Sequence, residues 1–398
     1  MAGRGRASGS WAVALCLALA STASLTSCGD LADTARGRVQ QVLDRRARAV
    51  LHHDERAFDA TGDGTQYANL RAVPLTDWSY RLTSLHRTGG TATAGAELRY
   101  RVTGYDSAPV TSGRTLTLAA GPQGTWRVVS DRPAAKASQQ LWDQGPVTVV
   151  RGRSSLVLGV GQSSGTLHGY AGLADRAVPA VSDAWGTGWS RHVVVLVPRT
   201  LDGMAGLLGS PASQYRGIAA VTTGEAGGSG RTTPADRIIV NPDAYGMLGG
   251  LGKQVVLTHE TTHVATRART DPATPLWLSE GYADWIGYRG TGRTPAQAAP
   301  ELQRAVAAGQ VPAALPTDRD FGFAGDATRL AQAYESGWMA CRLIAGRWGE
   351  DRLRDFYVAV GRHRHRSGAV EDALRRVLHT APGAFTDQWR AYLRAQLG

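Results

Sequence analysis

The sequence predicts an α+β chain in two units. An N-terminal unit combines a helix with an antiparallel sheet, and a second unit combines a small mixed sheet, one helix with a polar centre and a helical C-terminal part. Three observations predict this. Apolar residues at helical spacing near the N-terminal end give way to segments of alternating polarity. Short apolar strands then alternate with a helical stretch, and from about residue 245 the pattern is mostly helical. Between those regions, "VVLTHETTHVATRA" (255–268) places two histidines and a glutamate inside apolar flanks.

The first segment reads as an export signal. Arg4 and Arg6 precede the apolar run "WAVALCLALA", and the segment closes on "LTSC", Leu25 to Cys28. A charged start, an apolar middle and small residues at the end make a secretory signal over residues 1–27. The last four letters resemble a bacterial lipobox, which implies lipidation of Cys28, a membrane anchor and a place on the outer face of a cell membrane. Cys16 would leave with the signal. Cys341, in "WMACRLIA", then remains as a lone thiol and reads as a buried small hydrophobe.

Residues 28–140 form the N-terminal unit with its linker. In "TARGRVQQVLDRRARAVLHHDERAF", Val39, Val42, Leu43, Val50 and Leu51 share one helical stripe. The segments "AELRYRVTGY", "RTLTLAA" and "TWRVVSD" follow, separated by Gly, Ser and Pro, and read as antiparallel strands. A long helix before a curved sheet resembles the NTF2-like pattern. His52 and His53 are adjacent on this helix and point apart, so they read as solvated. "RPAAKASQQLWDQGP" reads as a linker.

Residues 141–398 form the second unit. "PVTVVRG" and "SSLVLGV" read as a hairpin, "LADRAVPAVSDAW" as a helix, and "HVVVLVP" and "RIIVNP" as strands on either side of the Gly-rich loop "TTGEAGGSGRTTPAD". "GLGK" (250–253) lacks the Ser or Thr of a phosphate loop and reads as a loop entering the next helix. The helices after it include "LWLSEGYADWIGYR", "LAQAYESGWMACRLIAGRWG" and "FTDQWRAYLRAQL".

Composition excludes some functions. Hydrophobic residues make up 42% of the chain and charged residues 19%, a globular balance. The net charge of +11 comes from arginines scattered along the chain, since Lys136 and Lys253 are the only lysines. A nucleic-acid surface needs a basic stripe or patch, so none is expected.

The chemistry concentrates at residues 259–284. On a helix, positions i and i+4 share a face, roughly 5–6 Å apart. His259 and His263 can therefore turn a ring nitrogen each toward one cation, and Glu260, one residue on, reaches water beside it. Catalytic zinc needs a third protein ligand. The spacing used by metzincins would put it on residue 269, but Thr266 and Arg269 occupy that pattern's Gly and His positions. Glu280, in "WLSEGYADW", lies 17 residues after His263, room for a turn and a returning helix. Asp284, four residues further, shares its face and can accept the second ring N–H of a ligating histidine.

"HETTH" followed by "WLSEGYADW" resembles the gluzincin metallopeptidases, the clan of thermolysin and the M1 aminopeptidases. The resemblance covers roughly residues 145–398 and implies a zinc-dependent peptidase acting on peptide or protein substrates. It assigns zinc to His259, His263 and Glu280, and the general base to Glu260. "AYESGWMACRLI" resembles the "YEKG" helix of M1 enzymes, whose tyrosine stabilises the tetrahedral intermediate, a role that falls on Tyr334. The G-x-M-E-N string by which M1 aminopeptidases recognise a free amine is absent before His259. This favours an endopeptidase, with "RIIVNP" offering an edge to an extended peptide.

Other signals weigh less. "GQSSG" (161–165) fits a nucleophile elbow, but the Gly-rich "SSGTLHGYAG" behind it does not read as the helix that an elbow needs. "GRHRHRSG", with His363 and His365, reads as a solvated basic turn. The competing functional class is a catalytically silent binding lipoprotein that keeps the metallopeptidase fold, and Glu260 argues against it because a scaffold has no use for that carboxylate.

Overall fold

The computed structural model describes residues 26–223, 234–322 and 326–398, with side chains from residue 34 onward. The signal segment through residue 25, the Cys28 side chain and most of the Gly-rich loop (224–233) lie outside the described residues. Among the described residues, no helix is long and apolar enough to cross a membrane.

The architecture is α+β. Helices α1 (Thr26–Leu51), α2 (Glu55–Asp59) and α3 (Thr65–Leu70) precede a four-stranded antiparallel meander. Its strands are β1 (Leu75–Thr88), β2 (Thr91–Val102), β3 (Val110–Ala120) and β4 (Trp126–Pro133), in spatial order 1-2-3-4. Alternate residues of β2, among them Ala92, Ala94, Ala96 and Leu98, are buried. Val39, Val42 and Leu43 on the α1 stripe pack into the same core.

The second sheet holds β5 (Val147–Arg151), β6 (Ser155–Val160), β7 (Val193–Val197), β8 (Ala220–Thr223) and β9 (Arg237–Val240). Helix α4 (Ser164–Trp185) joins β6 to β7, and α5 (Leu201–Leu208) follows β7. The strand order is β5-β6-β7-β9-β8. β6, β7 and β9 run parallel, while β5 and β8 are antiparallel to their neighbours, so the sheet is mixed. The strand read from "RIIVNP", β9, therefore lies inside the sheet. The edge next to it is β8, which begins before the Gly-rich loop and was hidden by it; β5 forms the opposite edge.

This sheet is buried on both faces, as its nearly continuous apolar strands require. Leu156, Leu158, Val160, Val194 and Ile239 point into the core of the N-terminal unit. Val157, Val193, Val195, Val197, Ile238 and Val240 point the other way, onto α4 and the metal-motif helix. The two-residue period of the strands sorts neighbouring side chains between two cores. The segment read as a linker is accordingly packed. Leu141 and Trp142 are buried, and the Trp142 ring lies 4.9 Å from Tyr100 and 5.4 Å from Trp78. Arg114 on β3 binds Asp131 at 2.6 Å and Asp143 of this segment at 2.9 Å, all three side chains nearly dry. Arg237 on β9 reaches back to Asp106, in the turn after β2, at 2.8 Å.

The rest is helical: α6 (Pro242–Gly246), α7 (Gly250–Thr266), α8 (Leu276–Tyr288), α9 (Pro295–Ala298), α10 (Pro300–Ala307), α11 (Ala327–Trp348), α12 (Glu350–Gly361), α13 (Ala369–Val377) and α14 (Pro382–Leu397). "GLGK" is the first turn of α7 rather than a loop before it. Helix α4 starts nine residues earlier than its apolar spacing indicated, because Ser163 caps it by accepting the Thr166 N–H. A third core joins α8, α11, α12, α13 and α14, with Cys341 fully buried in it.

Candidate metal centre

Helix α7 carries its histidines among four threonines, weak helix formers for which tertiary packing compensates. Two of their hydroxyls bond the helix's own backbone: Thr262 to the Thr258 carbonyl and Thr258 to the Gln254 carbonyl, both at 2.8 Å. These two hydroxyls are thereby satisfied within the buried helix; the Thr261 hydroxyl has no hydrogen-bond partner among the described residues. α8 returns antiparallel to it, since His263 and His259 meet Glu280, His259 meets Asp284, and Val255 abuts Gly287.

Three ligand atoms converge between the two helices. His259 Nε2 and His263 Nε2 lie 3.0 Å apart, and Glu280 Oε2 lies 3.2 Å from the first and 3.3 Å from the second. Tetrahedral zinc with bonds of about 2.0–2.1 Å sets neighbouring ligand atoms about 3.3–3.4 Å apart. The observed triangle is close to one face of that tetrahedron, and the donor set of two imidazoles and a carboxylate suits zinc. It is the one cluster of its kind among the described residues.

Asp284 Oδ1 accepts the Nδ1–H of His259 at 2.8 Å, which leaves Nε2 with its lone pair toward the centre. Burial alone would lower the His259 pKa. The Asp284 charge and hydrogen bond, with Glu280, outweigh it and hold the imidazole well above its ordinary value. Burial would raise Glu280, but the two imidazoles pull it far below the usual carboxylate range.

Glu260 is 6% exposed and stands beside this triangle without joining it. Its Oε2 accepts a hydrogen bond from the Thr222 hydroxyl on β8 at 2.6 Å. Thr222 was not legible as a site residue, since it lies 38 positions away at the mouth of a Gly-rich loop. Tyr334 on α11 puts its ring 6.4 Å from the His259 ring and 5.1 Å from Phe321. Burial, then the charges of Glu280, Asp284 and Glu260, raise its pKa well above the ordinary tyrosine value, so its hydroxyl keeps its proton.

The set-aside signals fall elsewhere. A helix does follow "GQSSG" directly, contrary to the reading of that stretch. Ser163 is nonetheless spent as its N-cap, bonded to the Thr166 N–H and 2.8 Å from its hydroxyl, with an unstrained φ of −70°. His52, His53 and His365 are exposed, and His363 is half-buried, its Nε2 3.4 Å from the Asp372 carboxylate. Two cavities, of about 370 and 310 Å³, are lined by the N-terminal unit and adjoining segment, away from the α7–α8 cluster.

Fold and site together define an α+β protein in which two histidines and one glutamate could hold a metal ion, with the Glu260 carboxylate, bonded to Thr222, beside them. No family model matches the sequence, and no curated protein matches it. Solved structures do match, among them a two-domain M1 zinc metallopeptidase mutant bound to L-arginine. It is 11% identical, covers 83% of this chain and 96% of its own, and has a TM-score of 0.37. A likeness this distant does not say which residues act here.

Proposed function

We propose that the protein is a zinc-dependent endopeptidase, exported and held at the outer face of a cell membrane by a lipid on Cys28. The observation that carries the catalytic part is the His259–His263–Glu280 triangle with Glu260 next to it. The anchor rests on the N-terminal sequence. A zinc ion bound by the three side chains would supply Lewis-acid activation of water and of the peptide carbonyl. Glu260 takes the water's proton on the oxygen that Thr222 leaves open and delivers it to the departing amine. Tyr334 donates its hydroxyl hydrogen to the oxyanion. An endopeptidase is supported by the missing amine-recognition string and by β8, beyond which no strand lies among the described residues. An extended peptide would add to β8 rather than to β9.

Metal analysis of the purified protein should find one zinc per chain. Glu260→Gln should keep that zinc and lose about 10²–10⁴-fold in kcat on an unstructured protein substrate. Equal turnover by the wild type and the variant would remove the mechanism.

A further inference from the structure

We propose that Thr222 is a positioning residue that holds the Glu260 carboxylate in its working orientation; this rests on the reading of Glu260 as general base. The last torsion of a glutamate side chain is broad, so the plane of a catalytic carboxylate is poorly defined unless something holds it. The Thr222 hydroxyl lies 2.6 Å from Glu260 Oε2 and 3.1 Å from the Glu260 carbonyl oxygen. A hydroxyl has one hydrogen to give. A charged carboxylate is the stronger acceptor, and the shorter contact is the one made to it. Pinning Oε2 leaves Oε1 as the oxygen that can take a proton. Glu260 is buried, so little solvent competes for that bond.

The backbone of Thr222 adds a second link. Just before β8, the Ala219 carbonyl accepts the Asn241 N–H, and within β8 Thr222 pairs with Ile238. Antiparallel pairs alternate between bonded and unbonded, so the Thr222 N–H and C=O face the free edge. A peptide strand on that edge would therefore run along the residue that orients the base. Binding and proton transfer would share one register.

The test uses the full chain with its metal. Thr222→Val keeps the shape and strand preference and removes the donor; Thr222→Ser keeps the donor. Thr222→Val should lose about tenfold or more in kcat with KM changed less than twofold and zinc still at one per chain, and Thr222→Ser should recover most of the loss. If Thr222→Val turns over like the wild type while Glu260→Gln is inactive, the role of Thr222 falls and the function of Glu260 stands. If the Val and Ser variants fall equally, the hydroxyl is not the cause and the proposal also falls. If Glu260→Gln is as active as the wild type, both readings fall together.

Discussion

Asp284 holds one hydrogen of His259, and that hydrogen decides which ring nitrogen would face the proposed ion. Asp284→Asn keeps the shape but weakens the acceptor. It should cost about 10–100-fold in zinc affinity, measured by competition with a chelating dye, with the fold unchanged by circular dichroism. Glu335, next to Tyr334 on α11, is a different case. Its carboxylate accepts the Leu302 and Glu301 N–H groups at the start of α10. Burial outweighs those bonds and, with the charges of Glu301 and Asp284, pushes its pKa up to about 7 from an ordinary 4.5. A folded acid with a raised pKa binds its proton more tightly than the unfolded chain does. Stability from this group is therefore full below about pH 4.5 and declines as pH rises toward 7. Urea unfolding across that window should show the wild type losing stability relative to Glu335→Gln; parallel curves would refute the shift.

At the scale of elements, the site depends on how closely α8 and α11 cross. A Cβ added at Gly281 would lie 2.3 Å from the Gly337 backbone carbon, and one at Gly337 would lie 2.5 Å from the Trp277 carbonyl oxygen. Both glycines are places where backbone meets backbone. Gly281 follows the proposed ligand Glu280, so any separation of the helices moves that carboxylate. Gly281→Ala should destabilise the protein by about 1–3 kcal/mol and release zinc more readily, seen as a lower urea midpoint and a substoichiometric metal content. The glycines of "SEGYADW" and "YESGW" were visible in the sequence as letters of motifs. Their mutual contact was not, because it joins positions 56 residues apart.

At the scale of the whole molecule, the N-terminal unit covers a face of the sheet that carries the site. Leu156, Leu158, Val160, Val194 and Ile239 belong to its core. Expressed alone, residues 141–398 would expose that apolar face. Such a fragment should bind a hydrophobic dye and aggregate where the full chain does neither; a soluble, dye-silent fragment would show that the shared core is dispensable. Composition could not reveal this. The connecting stretch is rich in Ala, Ser and Gln, like a linker, yet Trp142 and Asp143 within it anchor the two halves.

Local order was determined by the sequence alone. The long first helix, the alternating strands and the helical C-terminal part follow from apolar periods of 2 and 3.6, and the pair His259–His263 follows from helical geometry. Those are properties of neighbours along the chain. Only the tertiary structure decided that Glu280 and Asp284 meet the same histidine, that β8 rather than β9 forms the edge, that Ser163 is a cap, and that Thr222 touches Glu260. Each of these is a contact between distant segments, set by the packing of helix on helix and helix on sheet, which no local pattern records.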